Sequence, residues 1–211
     1  MTTIFLTKAS CTNCGKQSTF ERFDRVYAVK TPEIISSILE WDFFKFTCYN
    51  CNHMVLIDYP TVVVDEDRKT IIQYCSDGNV DMLSMQICSL ITEGVNMSEY
   101  KIQVVSDIES FVEKVQIVSA GYDDRAIELM KFMTSPLEDG DIQFNYEHMV
   151  FTKVGQESYQ FMFIDNQIAV ASLDFSQEQY EYYLAAVQDL ETNTYYIDSR
   201  WAESFCRTSL A

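Results

Sequence analysis

The sequence predicts an α+β protein, and three observations lead to this fold class. Two Cys-x-x-Cys pairs stand on either side of a short helical pattern in the first part of the chain. Period-two alternation, typical of strands, and 3.6-residue apolar periodicity, typical of helices, both occur along the 211 residues. Hydrophobic residues make up 47% of the sequence, so the chain can bury a core of its own.

Residues 1–75 are predicted to form a zinc-ribbon-like antiparallel sheet unit with an inserted helix. Aromatic and β-branched residues over 20–29 predict one or two strand segments. A helix is expected over 32–40, because Thr31 is a favourable N-cap and Pro32 suits the first helical position. Further strands are expected over residues 44–48, 54–59, 62–64 and 71–74, with the last two in a hairpin around a charged turn.

Residues 76–137 are predicted to form a helical segment. Its expected elements are a helix over 80–93, a strand over 101–105, a helix from the capping box at 106–109 to Gly121, and a helix from Asp123 or Asp124 to Met133. Gly121 suits a C-terminal cap. Pro136 forbids continuation of the last helix.

Residues 138–211 are predicted to form an acidic α+β unit in which an antiparallel sheet packs against helices. Three strands are expected, over residues 142–151, 159–164 and 168–175, with the last two joined at 165–166. Ser176 and Gln179 have capping-box spacing and begin a helix. A short aromatic strand at 195–197 and a final helix with Trp201 and Phe205 complete the prediction.

The most specific signal is the pair of motifs Cys-Thr-Asn-Cys at 11–14 and Cys-Tyr-Asn-Cys at 48–51. Each motif can present two sulfurs from one tight turn, and two such turns complete the tetrahedron of a structural zinc site. Gly15 and Asn52 follow the motifs at equivalent positions, where the backbone often needs positive φ. The sequence therefore predicts one structural Zn²⁺ bound by Cys11, Cys14, Cys48 and Cys51.

These motifs resemble the CpXC family of bacterial and archaeal proteins, named for paired Cys-Pro-x-Cys motifs around a zinc-ribbon-like unit. The likeness includes Thr-Pro-Glu at 31–33, Phe-Lys-Phe-Thr-Cys at 44–48 and Ala-Gly-Tyr-Asp-Asp-Arg at 120–125. It covers about residues 8–134, and Thr12 and Tyr49 replace the family proline. The resemblance implies a zinc-bound fold and no established activity.

Other readings of the reactive side chains stay open at this stage. A catalytic zinc would need one spare ligand position, which His53 could create by replacing a cysteine. The cysteine pairs could instead form a redox switch that releases zinc on oxidation. His148 has no acid–base partner at a suitable spacing and is expected to be structural. Three further cysteines share no motif spacing and are expected to be buried small apolar residues or free thiols, namely Cys75, Cys88 and Cys206.

An enzyme is the less favoured interpretation. The sequence contains no nucleophile elbow, phosphate-binding glycine loop or dinucleotide fingerprint. The Asp-Asp-Arg sequence at 123–125 resembles an acid–base cluster, but its position at a helix start is explained by capping and by the helix dipole.

Charge is distributed unequally along the chain, whose formal net charge is −17. Residues 1–75 carry eight Lys and Arg against nine Asp and Glu, whereas residues 76–211 carry seven against 23, so the net charges are −1 and −16. Nucleic-acid binding is not expected, because it needs clustered positive charge. Nucleic-acid binding would require four basic side chains to lie on one face, namely Arg22, Arg25, Lys30 and Lys45.

The leading hypothesis is a non-enzymatic, zinc-stabilised protein-interaction module whose acidic part meets a basic protein partner. Tyr182 supports it, because the helical period places this residue off the apolar face, where an exposed tyrosine suits an interface. The alternative is a zinc- or thiol-dependent enzyme or redox sensor. The sequence does not indicate an oligomeric state.

The expected compartment is the cytoplasm. The first residues lack a basic start followed by an apolar run, and no stretch approaches the roughly 20 apolar residues of a membrane span. The chain has seven cysteines, an odd number. In a reducing compartment, paired Cys-x-x-Cys motifs serve as metal ligands rather than disulfides.

Overall fold

The computed structural model describes residues 2–76, 80–134, 145–155, 158–190 and 194–209. It confirms the α+β fold class, since strands and helices are mixed along the chain. The chain divides into two compact units, Met1–Val115 and Gln116–Ala211. The three-part division at residues 75 and 137 stays a prediction.

The first unit is built mainly of strands. In chain order its elements are β1 (Thr3–Ser10), β2 (Gln17–Tyr27), α1 (Pro32–Leu39), β3 (Lys45–Thr47), β4 (Met54–Leu56), β5 (Thr61–Asp65), β6 (Thr70–Tyr74), α2 (Val80–Thr92), a 3-10 turn (Met97–Glu99), β7 (Lys101–Val105) and most of α3 (Ile108–Ala120).

Five described strands of this unit form a mixed sheet in the order β1-β2-β5-β6-β7. β1 and β2 pair as an antiparallel hairpin, and so do β5 and β6, whereas β2–β5 and β6–β7 are parallel. The β5–β6 hairpin has the charged turn that was predicted, and Asp65 accepts backbone hydrogen bonds there from Asp67 and Arg68. β3 and β4 form a separate two-stranded antiparallel ribbon.

Aromatic side chains join this ribbon to the larger sheet. Phe46 on β3 stacks on Phe20 of β2, with ring centroids 5.8 Å apart. Phe44, just before β3, is fully buried and lies 5.6 Å from Tyr74 on β6 and 5.9 Å from Phe111 on α3. Burial of such rings contributes strongly to stability, so these contacts hold the ribbon against the sheet.

Helix α1 begins where it was predicted, but Thr31 does not cap it with its side chain. The Thr31 hydroxyl instead donates a hydrogen bond of 2.9 Å to the carbonyl of Tyr27 at the end of β2. Pro32 occupies the first helical position as expected. Ile35 and Ile38 lie on the buried face of the helix.

The second unit combines helices with an antiparallel sheet. In chain order its elements are the end of α3, then α4 (Asp124–Thr134), β8 (His148–Val154), β9 (Ser158–Asp165), β10 (Ile168–Asp174), α5 (Gln177–Val187) and α6 (Ser199–Ser209).

The three described strands of this unit are ordered β10-β9-β8 and are antiparallel, as predicted. The turn between β9 and β10 lies one residue later than expected, at Asn166 and Gln167, whose φ angles are 49° and 64°. Positive φ at both positions is the hairpin geometry that matches the natural strand twist. The predicted strand start at 142 and the helix stop at Pro136 lie outside the described residues.

Aromatic rings on the inner face of this sheet form the core of the second unit. Phe151 lies 5.1 Å from Tyr159, 5.7 Å from Phe161 and 5.4 Å from Phe175. Buried side chains from α4, α5 and α6 complete the same cluster, among them Ile127, Leu129, Tyr180, Val187 and Ala202. The core is therefore contributed by every helix of this unit together with its sheet.

Asp123 at the start of α4 has the capping role that the sequence favoured. Its Oδ1 accepts a hydrogen bond of 3.0 Å from the backbone N–H of Arg125. The Arg125 guanidinium pairs with both Asp123 oxygens, at 2.9 and 2.7 Å, and also donates to the carbonyl of Leu190 after α5. The Asp-Asp-Arg sequence thus joins two helices of the second unit.

Two other expectations for the C-terminal part have opposite outcomes. The Ser176 hydroxyl accepts a hydrogen bond from the backbone N–H of Gln179, which confirms the predicted cap of α5. The strand predicted at 195–197 is wrong. The backbone N–H of Tyr196 instead bonds to the Thr194 hydroxyl, so local polar competition favours a turn over a strand there.

We expect Phe151→Ala to lower the free energy of unfolding by about 3–5 kcal/mol, the usual cost of deleting a buried phenylalanine ring. The Phe151 side chain is 1% exposed, whereas Tyr182 is 74% exposed. Tyr182→Ala is the matched control and should change stability by no more than about 0.5 kcal/mol. Denaturant unfolding measures both, and equal effects would contradict the assigned core.

Candidate metal centre

The two Cys-x-x-Cys motifs lie at the tips of two hairpins. The first motif belongs to the turn between β1 and β2, and the second belongs to the turn between β3 and β4. Antiparallel pairing holds the ends of each hairpin together and closes each motif into a compact turn. The stacked rings of Phe20 and Phe46 lie beside these turns and bring the hairpins together.

Both turns have the same backbone hydrogen bonds. In the first turn, Cys11 N–H donates to the Lys16 carbonyl and Gly15 N–H donates to the Cys11 carbonyl. In the second turn, Cys48 N–H donates to the His53 carbonyl and Asn52 N–H donates to the Cys48 carbonyl. All four bonds are 2.9 Å long. The φ angles of Gly15 and Asn52 are 68° and 55°, which confirms the positive φ predicted for both. The two turns are structural copies of each other.

The four cysteine sulfurs lie within 4.8 Å of one another and could hold a metal ion. The Sγ atoms of Cys11 and Cys51 are 3.6 Å apart, and those of Cys14 and Cys48 are 3.7 Å apart. Four sulfurs about 2.3 Å from one ion, at the corners of a tetrahedron, would be about 3.8 Å apart. The cluster therefore has the size and the donor set of a tetrahedral thiolate site.

Apolar residues enclose one side of the cluster. Cys11 and Cys48 are buried, whereas Cys14 and Cys51 are partly exposed. Phe46 and Val55 are buried beside them, and Phe20 packs against the same group. Each turn thus contributes one buried sulfur and one that solvent can approach.

Two polar side chains donate hydrogen bonds to the sulfurs. The Asn13 amide of the first turn donates to Cys51 Sγ of the second turn at 3.7 Å. The Ser18 hydroxyl on β2 donates to Cys48 Sγ at 3.9 Å. The sequence reading missed both. Asn13 had a signal, because asparagine precedes the second cysteine in both motifs, but nothing in the sequence singled out Ser18.

The environment of Cys48 favours its thiolate form. Burial opposes ionisation of this thiol. Hydrogen bonds from the backbone N–H groups of Asn50 and Cys51, and from the thiols of Cys14 and Cys11, outweigh the effect of burial. Together they lower the pKa of Cys48 to about 6. A thiolate is the form that binds metal. The turn therefore presents Cys48 in the form that a metal ion could bind at neutral pH.

The other candidate residues lie elsewhere in the part of the chain that the structure describes. The His53 side chain is exposed, and only its backbone carbonyl takes part in the second turn. Cys75 is buried and Cys88 is exposed. Cys206 is partly buried, and burial raises the pKa of its thiol. His148 is partly buried at the start of β8. None of them joins the sulfur cluster.

Comparison with known proteins extends this description. The family model described as CpXC protein matches residues 9–131, a range that includes both hairpins and all four cysteines of the cluster. No curated protein and no solved structure matches the chain. No helix in the described part of the chain is long and apolar enough to cross a membrane. Because the match covers more than half of the 211 residues, the chain belongs to the CpXC family.

Proposed function

We propose that the four cysteines bind one structural Zn²⁺, and that the chain is a non-enzymatic protein-interaction module of the reducing cytoplasm. The cluster of four sulfurs carries the metal assignment, because four thiolates in a tetrahedron suit Zn²⁺. All four positions would be filled by protein ligands, and no position would remain for water or substrate. Bound Zn²⁺ would join the two hairpins in the manner of a zinc ribbon.

The acidic part of the chain supports the interaction role. Residues 76–211 have a net charge of −16. Five of their carboxylates are exposed in the described part of the second unit, namely Glu147, Asp174, Glu178, Glu181 and Asp189. Tyr182 lies beside two of them on α5 with its ring 74% exposed. A negative surface with an accessible aromatic ring attracts a basic protein partner through charge and can bind it through the ring.

The four basic residues considered for nucleic-acid binding each pair with an acidic side chain. Arg22 pairs with Asp24 at 2.6 Å, and Lys30 pairs with Glu66 at 2.9 Å. The buried Arg25 pairs with Glu93 at 2.5 Å, and Lys45 pairs with Asp42 at 3.2 Å. A phosphate would have to displace a carboxylate at each of these cations, so they form no open basic face.

A redox sensor is the second candidate, and the spacing of the sulfurs favours it over other thiol chemistry. The two short sulfur separations, 3.6 and 3.7 Å, each join one hairpin to the other. An oxidant of the peroxide class could convert each close pair to a disulfide, with two electrons passing from each pair of thiolates to the oxidant and with loss of the metal. Reversible metal loss on mild oxidation would favour this candidate.

Removal of the metal should unfold the β1–β2 and β3–β4 hairpins, because metal binding and folding are coupled in such sites. We expect one zinc per chain in native mass spectra, and loss of both zinc and hairpin structure in Cys48→Ser. Cys88→Ser is the matched control, because Cys88 is exposed and outside the cluster. A folded, zinc-free Cys48→Ser protein would contradict the structural role and support a catalytic or redox one.

Metal release to a chelator should accelerate as the pH falls toward and below about 6, the pKa of Cys48 in the metal-free cluster. Above this pH a sulfur that leaves the metal transiently stays a thiolate and binds again, whereas below it protonation blocks rebinding. A colorimetric chelator follows the rate between about pH 8 and pH 5. A rate that does not change with pH would show that Cys48 ionisation does not control release.

Neutralising the five exposed carboxylates of the second unit should weaken binding of a lysine-rich peptide by about tenfold at low salt. The variants are Glu→Gln and Asp→Asn at positions 147, 174, 178, 181 and 189. The control makes the same charge change at five exposed acids of the first unit, Glu21, Glu33, Glu40, Asp42 and Asp67.

Isothermal titration at two salt concentrations measures both sets of variants. Peptide binding by the native protein should weaken as salt rises, because salt screens exposed charges. This salt dependence of the affinity should largely disappear in the first set of variants and remain in the control. Equal loss in both sets would mean that the binding follows total charge rather than the acidic part of the chain. A peptide that contacts only the first unit would contradict the proposal.

A further inference from the structure

Strand β1 presents an exposed apolar edge. It is the first strand in the order of the described five-stranded sheet and pairs there with β2. Three consecutive side chains on it are exposed, with accessible fractions of 51% for Ile4, 49% for Phe5 and 75% for Leu6. Consecutive residues of a strand point to opposite faces of the sheet, so both faces are apolar at this edge.

β1 also has few of the features that protect edge strands. Its sequence contains one charged residue, Lys8, and no proline. Its pairing with β2 is regular from Ile4 to Ser10 and shifts between Thr3 and Ile4, at the end of the strand. Long, regular, apolar edges usually pair with another strand. A helix or a flat surface would cover only one face, whereas an added strand covers both.

We propose that the strand that covers β1 is β1 of a second copy, in an antiparallel pair about a two-fold axis near Phe5. This register places Phe5 against Phe5 of the second copy and Ile4 against Leu6 of the second copy. All three exposed side chains then meet apolar partners, as cross-strand pairing requires. Lys8 lies beyond the paired apolar residues, so the two copies oppose no like charges within the strand.

The edge lies in the part of the chain where charge opposes a second copy least. Residues 3–27 carry four Lys and Arg against two Asp and Glu, a net charge of +2 in a chain of net charge −17. The repulsion between two copies is therefore smallest where these hairpins meet. A basic protein would be attracted to the acidic part of the chain instead.

The size of the edge sets the expected affinity. Eight residues of strand form an edge about 26 Å long and about 10 Å thick. This contact covers roughly a few hundred Å² on each copy, below the about 800 Å² per partner of a standard stable complex. The dimer should therefore be reversible, with a Kd weaker than about 1 μM.

Sedimentation velocity of the full-length, metal-loaded protein between about 1 and about 100 μM tests the proposal. The native protein should shift from monomer to dimer as concentration rises. Leu6→Lys should raise the Kd by at least about tenfold, because it places a charge inside the paired edge. Leu6→Thr, a milder polar change with high strand propensity, repeats the test if the lysine variant is unstable.

Ile168→Lys is the matched control, because Ile168 is also an exposed aliphatic residue on an edge strand, 66% accessible on β10. It should dimerise as the native protein does. Hydrogen exchange of the β1 amides should slow with concentration in the native protein and in this control, and not in Leu6→Lys.

Three results would overturn the proposal. The first is a native protein that stays monomeric over the whole concentration range. The second is a Leu6→Lys dimer as stable as the native one. The third is protection of the β1 amides that appears only when a different protein is added, since this would assign the edge to another partner. Because none of these results depends on the acidic residues, failure here is distinct from failure of the proposed interaction with a basic protein.

Discussion

The close approach of four cysteine sulfurs is the constraint on which the first unit depends. The close sulfur pairs of the cluster are 3.6 and 3.7 Å apart. Four thiolates at such distances would repel one another strongly in a partly buried site, and a divalent cation bound between them would remove that repulsion. The backbone prepares the site by aiming N–H groups at Cys48, which lowers its pKa. The two hairpins can share one cluster because their turns are structural copies.

The second unit has a different source of stability. Its core is aromatic and aliphatic, with Phe151, Phe161 and Tyr180 buried among side chains of the sheet and the helices. None of the clustered sulfurs belongs to it. Its stability thus comes from apolar burial and from helix caps such as Ser176. One chain therefore combines a unit that contains a sulfur cluster with a unit built around an apolar core.

Local signals made much of this structure predictable. The cysteine spacing and the residues Gly15 and Asn52 identified the cluster and its turns, because positive φ is a property of single residues. Apolar periodicity located β5 to β7 and α3 to α5, because each of these patterns lies within one element. The mixed order of the sheet was not predicted, because the parallel pairing of β2 with β5 joins residues far apart in sequence.

Competition between local hydrogen bonds explains the errors. Thr31 and Thr194 both use their side chains for turns at places where a helix cap and a strand were expected. Ser18 near Cys48 could not be anticipated, because its approach to the sulfur depends on how two hairpins pack. Propensity alone cannot decide such cases, since it describes a residue apart from its tertiary contacts.

Helix α4 has a consequence for the boundary of the shared family region. Residues Asp124–Met130 of this helix are all buried, yet the family match ends at residue 131, inside the helix. A fragment cut at that position would expose Ile127 and Leu129, which belong to the core of the second unit. The shared region is thus not a separable building block in this chain. Evolution can replace the sequence that follows residue 131 only with another segment that shields the same helix from water.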